Sequence, residues 1–391
     1  MTDLRIVMED IPDSHLVAEL ASDFHRENPD VSVQVETMHY DLMLDRILGS
    51  INEPGPPSGV VIFDNPWTHD WVRGGLIRSI DDLLERTPDL DWPDFAPAVR
   101  AAAKADGRIW GVPFYTWSFG LIYRVDLYEE ARLEVPRTLE ELVENTAALT
   151  DERRAGMAMQ PRADYNAAEE WCNYLFAAGG SVQDADSGVV LESAEARHAL
   201  GVYTEVFRRF ATNSHADWTF EDSIAALAED RAAQMINCHW WLPVLNDPDG
   251  KAGELAGRFG LAEIPGGVGI LGVWYWAIPR AVEDAQAEAA WRFITWIASK
   301  SANSERVARG GSPVRTSTIA DPDVWRRGYG REYYDAVARM HARARPLLQG
   351  SNAEEATRVI GAAVHDVATG DRGVDAALEE ASVRVGALLR G

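Results

Sequence analysis

The sequence predicts an α/β fold with open, mostly parallel sheets flanked by helices. The opening part of the chain alternates short apolar runs with segments whose apolar residues recur at helical spacing. The order strand, helix, strand, helix, strand is typical of an open parallel sheet. A chain of 391 residues is also long enough for two or three domains.

Each opening element is predicted from its own residues. Leu4–Met8 is a short apolar run, residues 31–35 alternate apolar and polar side chains, and residues 59–63 (GVVIF) are typical of a buried strand. Residues 16–24 and 44–51 carry their apolar side chains on one helical face. Ligands of open α/β sheets lie beyond the carboxyl ends of the strands. The side chains predicted at these ends are Glu9, His39, Tyr40, Asp64, Asn65 and Trp67.

The stretch 111–130 (GVPFYTWSFGLIYRVDLYEE) is predicted to cross between two parts of the molecule. Gly111 and Pro113 interrupt regular structure, aromatic residues that include Tyr115 and Trp117 follow, and a second apolar run begins after Gly120. Aromatic side chains on a crossing segment would wall a cleft between two lobes, where small ligands often bind. The alternative is a core strand with ordinary aromatic packing. Residues 274–276 and 313–316 are predicted as further crossings.

The rest of the chain continues the alternation. Residues 156–159 and 234–237 are predicted strands, and the second of these leads directly into His239, Trp240 and Trp241. A loop over 162–166 carries Tyr165. Helices are predicted over 138–149, 171–178, 196–210, 221–230 and 287–299 and through most of the segment after 316.

Composition excludes several classes of protein. The formal net charge of −25 opposes binding to nucleic acid, whose phosphates need a basic surface. No apolar run approaches the roughly 18 residues of a membrane-spanning helix. No set of His, Asp and Glu has metal-ligand spacing, so we expect no metal and no cofactor. Cys172 and Cys238 are the only cysteines, and the sequence leaves open whether they pair.

Tryptophans at strand ends and crossings predict a sugar site. Many of the 14 tryptophans fall there, and an indole face stacks on the flat C–H face of a pyranose ring. Buried sugar hydroxyls need polar partners, which carboxylate, amide, imidazole and guanidinium groups supply. For any single tryptophan, and for His239, the alternative is a core residue. The predicted ligand-binding set is Glu9, His39, Tyr40, Asp64, Asn65, Trp67, Tyr115, Trp117, Tyr165, His239, Trp240, Trp241, Trp274, Tyr275 and Arg315.

An ordered series of short patterns covers nearly the whole chain. They are residues 24–33, 74–81 (GGLIRSID), 107–113 (GRIWGVP), 123–126 with 135–141, 171–180, 274–296, 311–315 (GSPVR) and 370–389. In this order they resemble the extracellular solute-binding proteins of ABC importers, in particular the carbohydrate-binding family. That family carries a leader, often with a lipid-anchored cysteine. Here Leu4–Met8 reads as a strand directly after Met-Thr-Asp, so we expect a leader that was removed or a chain that is never exported.

The resemblance implies a two-lobe periplasmic-binding-protein-like fold of type II. Lobe 1 would comprise residues 1–115 and 277–313, and lobe 2 residues 116–276 and 314–391. Such a protein would close by hinge motion around a carbohydrate and present it to a membrane permease. It would be an extracytoplasmic monomer, in the periplasm or tethered to the cell surface, and not an enzyme.

Two alternatives stay open. A glycoside hydrolase would also show aromatic residues and paired carboxylates. Against it, the chain has no eight-fold βα repetition and no obvious pair of acid and nucleophile. The same fold could instead bind a polyol, a polyamine or a peptide.

Overall fold

The computed structural model describes residues 1–52, 58–184, 188–211 and 216–390. Contacts along the chain divide it into two compact units. Unit 1 comprises Met1–Thr116 and Gly272–Ala338, and unit 2 comprises Trp117–Leu271 and Arg339–Gly391.

The first segment of unit 1 holds strands and helices in alternation. In chain order they are β1 (Thr2–Glu9), α1 (Pro12–Glu27), β2 (Val31–Met38), α2 (Tyr40–Asn52), β3 (Val61–Asp64), α3 (Thr68–Arg73), α4 (Asp81–Glu85), α5 (Pro97–Ala102), β4 (Lys104–Ala105), β5 (Arg108–Ile109) and β6 (Val112–Thr116).

The first segment of unit 2 follows directly. It holds β7 (Phe119–Arg124), α6 (Val125–Ala131), α7 (Leu139–Ala148), α8 (Tyr165–Ala177), β8 (Gln183–Asp184), β9 (Gly188–Val189), α9 (Ala194–Phe210), α10 (Phe220–Ala228), β10 (Gln234–Cys238), α11 (Trp241–Leu245) and β11 (Phe259–Ala262).

The chain then returns to unit 1 and ends in unit 2. The return holds β12 (Val273–Ala277), α12 (Asp284–Ile297), α13 (Lys300–Ala308), α14 (Thr316–Ile319), α15 (Pro322–Arg327) and α16 (Gly330–Arg343), which runs across the boundary at Ala338. The end holds α17 (Ala353–Thr369) and α18 (Val374–Arg390).

The units differ from the predicted lobes in where the chain crosses. Residues 273–276 of strand β12, which we placed in lobe 2, belong to unit 1 because β12 pairs with β3 and β6. Residues 314–338, also predicted for lobe 2, stay with unit 1 as well. The guanidinium of Arg315 donates to the carbonyl oxygens of Leu90 and Ala298, and the hydroxyl of Tyr334 donates to that of Val307.

The α/β class is confirmed. The sequence predicted mostly parallel sheets, however, and both three-stranded sheets are antiparallel. In unit 1, β1 and β2 form the predicted parallel ladder from Thr2 to Glu9. The sheet β3-β12-β6, however, is antiparallel throughout, as is the sheet β10-β7-β11 of unit 2. The predicted strand over 156–159 contributes single parallel bridges from Met157 and Ala158 instead of a ladder.

The helical layer of unit 2 is closely packed, and one glycine shows how closely. Helix α17 packs against α8, α9 and α18. A Cβ at Gly361, in the middle of α17, would lie 1.7 Å from the carbonyl oxygen of Asp164, just before α8. Only glycine allows this approach of the two backbones. Cys172 on α8 and Cys238 on β10 are both buried free thiols.

None of the helices in the described part of the chain is both long and apolar enough to span a membrane.

A buried ion pair connects three parts of unit 1. Asp13, at the start of α1, and Arg306, on α13, are almost fully buried and form a salt bridge. Arg306 also donates to the carbonyl oxygens of Phe114 at 2.9 Å and Ser312 at 2.8 Å, and Asp13 accepts the amide of Ser312 at 3.0 Å. The two charges therefore hold the middle of β6 and the 310–313 turn against α1.

Removing one partner of this pair is expected to destabilise unit 1 strongly. Asp13→Ala leaves a buried guanidinium without its counter-charge, which costs about 3–5 kcal/mol of the free energy of unfolding. The matched control is Asp23→Ala on the same helix, whose partner Arg26 is exposed and whose loss costs about 1 kcal/mol at most. Urea unfolding followed by circular dichroism measures both. Equal midpoints for the two variants would contradict this account of the pair.

Candidate ligand-binding site

One row across the antiparallel sheet of unit 1 gathers several predicted residues. Trp274 on β12 lies opposite Asp64 on β3 and opposite Tyr115 on β6. Residues directly opposite in neighbouring strands bring their side chains within contact distance. The β6 side of the ladder shifts register just after Trp274, so the row lies at an irregularity of the sheet.

Four rings pack together on this row. Trp274 stacks on Tyr115 with centroids 6.0 Å apart and planes 14° apart. Trp67 and Tyr40 meet the Trp274 ring edge-on at 5.2 and 6.1 Å, and Tyr40 lies 6.0 Å from Trp67. Trp67, Tyr115 and Trp274 are buried, while Tyr40 is half-buried. Such ring pairs add stability beyond the area that they bury, and they fix the orientation of the face.

Polar groups border these rings. The Tyr115 hydroxyl donates to Oε2 of Glu9 at 3.1 Å, at the end of β1, and Glu9 is half-buried. Asp64 accepts the amide of Asn65 at 2.8 Å, and Asn65 Oδ1 accepts the amide of Val273 at 2.8 Å. Asn65 therefore fixes the end of β3 to the start of β12. We call Glu9, Tyr40, Asp64, Asn65, Trp67, Tyr115 and Trp274 the unit 1 face.

Three predicted residues of unit 1 lie elsewhere. Tyr275 follows Trp274 but packs on Phe63 and donates its hydroxyl to the carbonyl of Val99 at 2.7 Å. Burial, with the nearby charge of Asp64, raises the pKa of this hydroxyl well above its usual range. Successive side chains of a strand point to opposite sides, so Tyr275 is a core residue and not part of the predicted wall.

Arg315 and His39 also depart from the prediction. The Arg315 guanidinium is fully buried and lies 3.9 Å from the Phe95 ring, and it binds the carboxylate of Asp94 and the carbonyls described above. Arg315 therefore serves the packing of unit 1. His39 is exposed, and its ring interacts with Asp41 in the first turn of α2.

Unit 2 carries an aromatic face of its own. Trp240 and Trp241 follow β10 with ring centroids 4.4 Å apart, and Phe220 at the start of α10 lies 6.3 Å from Trp241. Trp241 is half-buried, whereas Trp240 is 7% exposed and supports it from behind. Trp117, also half-buried, lies beside Phe119 and accepts the Cys238 thiol at its carbonyl oxygen.

Phe220 lies on the unit 2 aromatic face but is not among the residues predicted from the sequence. We predicted the helix over 221–230 and so left Phe220 in the preceding loop. Thr219 and Asp222 form a capping box, which begins the helix at Phe220. Recognising Thr219 as the N-cap would have placed Phe220 on a defined element.

The remaining predicted residues of unit 2 are buried. His239 is 0% exposed, donates its amide to the carbonyl of Ser118 and lies with its ring 5.8 Å from that of His341. Burial, together with His341, holds the pKa of His239 well below its usual range, so this ring is a neutral core histidine. Tyr165 begins α8, is 6% exposed and packs under the guanidinium of Arg358 at 5.4 Å.

Within the residues that the structure describes, no group of three or more His, Cys, Asp or Glu side chains is arranged to hold a metal ion.

A buried carboxyl lies inside the helical layer of unit 2. Glu170 on α8 is fully buried, and its Oε2 accepts the amide of Gln160 at 3.0 Å and the hydroxyl of Tyr203 at 2.9 Å. Burial raises the pKa of Glu170 from 4.5 to about 8, although both hydrogen bonds act in the opposite direction. The folded protein therefore holds this proton at neutral pH.

This carboxyl is expected to make unit 2 less stable as pH rises. Between its ordinary pKa of 4.5 and its folded pKa of about 8, the unfolded chain releases the proton and the folded chain keeps it. The free energy of unfolding then falls by at most about 1.4 kcal/mol per pH unit. Glu170→Gln keeps an acceptor for Gln160 and Tyr203 and cannot ionise, so it should remove this contribution.

The measurement is chemical unfolding of wild type and Glu170→Gln at several pH values across that window. We expect the variant's advantage to grow with pH. The control is Glu205→Gln on α9, whose carboxylate pairs with Arg209 at the surface. If the profiles of wild type and Glu170→Gln run parallel, Glu170 does not hold its proton in the folded state.

The family model described as bacterial extracellular solute-binding protein matches residues 12–304. This match covers well over half of the chain, and the chain belongs to that family.

Individual relatives show how far the similarity extends. The chain is 21% identical to a mannitol-binding protein of Pseudomonas aeruginosa, over 82% of this chain and 76% of that protein. It is 21% identical to a probable amino-acid ABC transporter periplasmic-binding protein of Sinorhizobium fredii, over 63% of this chain but only 57% of the relative. An ABC transporter solute-binding protein from Agrobacterium radiobacter, solved in complex with ribitol, is 26% identical with a TM-score of 0.87, covering 99% of this chain and 98% of that one.

Proposed function

We propose that this protein is the substrate-binding component of an ABC importer and that it captures a carbohydrate, in the broad sense that includes sugar alcohols. It would act outside the cytoplasm as a monomer and deliver the ligand chemically unchanged to a membrane permease. Family membership supports the role. Two relatives support the ligand class: one is named a mannitol-binding protein, and the other was solved in complex with ribitol.

The observation that carries the ligand class is the aromatic row with carboxylates at its ends. Trp274, Tyr115 and Asp64 lie in one cross-strand row, and Glu9 binds Tyr115. The half-buried ring of Tyr40, which packs on Trp274, suits the C–H groups of a sugar or polyol, and the half-buried Glu9 carboxylate accepts hydrogen bonds from its hydroxyls. A peptide or an amino acid would need a charged pair for its termini in place of this arrangement.

Exposure separates proposed contacts from supporting residues, on each unit taken by itself. Glu9 and Tyr40 of unit 1, and Trp117 and Trp241 of unit 2, are half-buried and are proposed as ligand contacts. Asp64 and the rings of Trp67, Tyr115, Trp240 and Trp274 are buried and are proposed to support these contacts.

A ligand panel tests the proposed function. We expect a sugar or a sugar alcohol to raise the melting temperature, because a ligand at a hundredfold excess over its Kd adds about 2.7 kcal/mol to the free energy of unfolding. Differential scanning fluorimetry with mannitol, ribitol, maltose and monosaccharides measures this, with spermidine and short peptides as comparison ligands. The bound carbohydrate should be recovered unchanged after long incubation. Stabilisation by a peptide or a polyamine alone, or steady cleavage of a glycoside, would contradict the proposal.

Trp241 is the sharpest single contact to test. Trp241→Ala should weaken carbohydrate binding more than tenfold, because it removes a half-buried ring that is held in place by Trp240. The matched control is Trp92→Ala, which removes a tryptophan of similar exposure that packs on Phe95 in unit 1. Calorimetric titration of both variants gives the two Kd values. Normal affinity in Trp241→Ala, or an equal loss in Trp92→Ala, would show that Trp241 is a packing residue.

A further inference from the structure

A second depression in unit 1 is lined by residues that the proposed function does not use. It has a volume of about 360 Å³, and its lining comprises Ile77, Arg78, Ser79, Arg108, Trp110 and Arg280. We call it the arginine pocket. Three guanidinium groups line it, in a chain whose formal net charge is −25.

Backbone hydrogen bonds bring two of the three arginines together from distant parts of the chain. The amide of Arg78 donates to the carbonyl of Ile278 at 2.9 Å, and the amide of Arg280 donates to that of Leu76 at 2.8 Å. These two bonds pair residues 76–78 with 278–280 as short antiparallel neighbours. These backbone hydrogen bonds within unit 1 therefore fix the positions of Arg78 and Arg280.

A tight hairpin places the third arginine. Strands β4 and β5 are joined by Asp106 and Gly107, both at positive φ, which is the two-residue turn typical of a narrow hairpin. The amide of Ile80 donates to the carbonyl of Ile109 at 2.8 Å, which joins the Arg108 strand to the Arg78 segment. The Trp110 indole donates to the carbonyl of Ala105 at 2.9 Å and closes the hairpin.

The lining contains no carboxylate. The Arg78 guanidinium donates to the carbonyl oxygens of Val282 and Arg280. It also lies 3.2 Å from the Asp284 carboxylate, but that carboxylate is fully exposed, and exposed pairs neutralise each other weakly. The Nε atom of Arg108 lies 3.3 Å from Oδ2 of Asp81, which is outside the lining. Among the residues described by the structure, the guanidinium of Arg280 has no hydrogen-bond or ion-pair partner.

The base of the pocket is apolar. Ile77 is 0% exposed and Trp110 is 8% exposed. Side chains of this kind exclude water from one side of an incoming ion, which strengthens its attraction to the guanidinium groups. The Ser79 hydroxyl adds one neutral donor to the lining.

We propose that the arginine pocket binds a phosphate group, either as free inorganic phosphate or as the headgroup of an anionic phospholipid. Guanidinium groups offer planar pairs of N–H donors that match the oxygens of a phosphate. The proposal is independent of the carbohydrate site, because the two share no residue.

The first test is calorimetric titration with inorganic phosphate at constant ionic strength, adjusted with chloride because salt screens exposed charges. We expect Arg280→Gln to weaken binding about tenfold, as the loss of a charge-assisted contact predicts. Arg108→Gln is a second variant with the same expected direction. The control is Arg73→Gln, another exposed arginine of unit 1 that pairs with Asp70 outside the pocket. Arg73→Gln should bind inorganic phosphate with the affinity of wild type.

The second test distinguishes the source of the phosphate group. Cosedimentation with phosphatidylglycerol vesicles is compared with phosphatidylcholine vesicles for wild type, Arg280→Gln and Arg73→Gln. Binding to free phosphate supports the soluble anion, and binding only to phosphatidylglycerol supports the headgroup, provided that Arg280→Gln loses it and Arg73→Gln keeps it. Absence of both interactions in wild type, or an equal response of Arg280→Gln and Arg73→Gln, would overturn the proposal.

Discussion

The antiparallel pairing of β12 with both β3 and β6 is the constraint on which the candidate site depends. Because Trp274 lies opposite Asp64 on one side and Tyr115 on the other, one register brings three chain segments into a single row. A shift of one residue would turn Trp274 to the opposite side of the sheet and bring Tyr275 to its place. The bond from the amide of Val273 to Asn65 Oδ1 opposes such a shift, since it ties the start of β12 to the residue after β3.

The same register gives the buried and the half-buried side chains different roles. Buried rings around Trp274 hold each other by stacking and edge contacts, so their orientation exists before any ligand arrives. The half-buried groups at the border, Glu9 and Tyr40, add polar contacts on a face that is already ordered. Preorganisation of this kind lowers the entropic cost of binding a small, flexible polyol. Trp240 gives Trp241 the same support on unit 2.

Much of the fold and part of the site could be predicted because strand periodicity is local. It correctly located Glu9 and Asp64 at the ends of β1 and β3. The role of Arg315 could not be predicted in this way, because carbonyl groups far away in the sequence surround its guanidinium. Tyr275 was misplaced for a related reason: on a buried strand every residue is apolar, so the pattern does not tell which side faces the core. The direction of β12 likewise depends on its partners and not on its own residues.

The crystal structure of the protein saturated with its best carbohydrate ligand tests the central claim most directly. Our account predicts that the hydroxyls of the ligand lie within hydrogen-bond distance of the Glu9 carboxylate and that its C–H groups lie against the half-buried ring of Tyr40 on the unit 1 face. The rings of Trp67, Tyr115 and Trp274 should keep the arrangement described above. A ligand bound away from the unit 1 face, or a site formed only after this ring cluster rearranges, would contradict it.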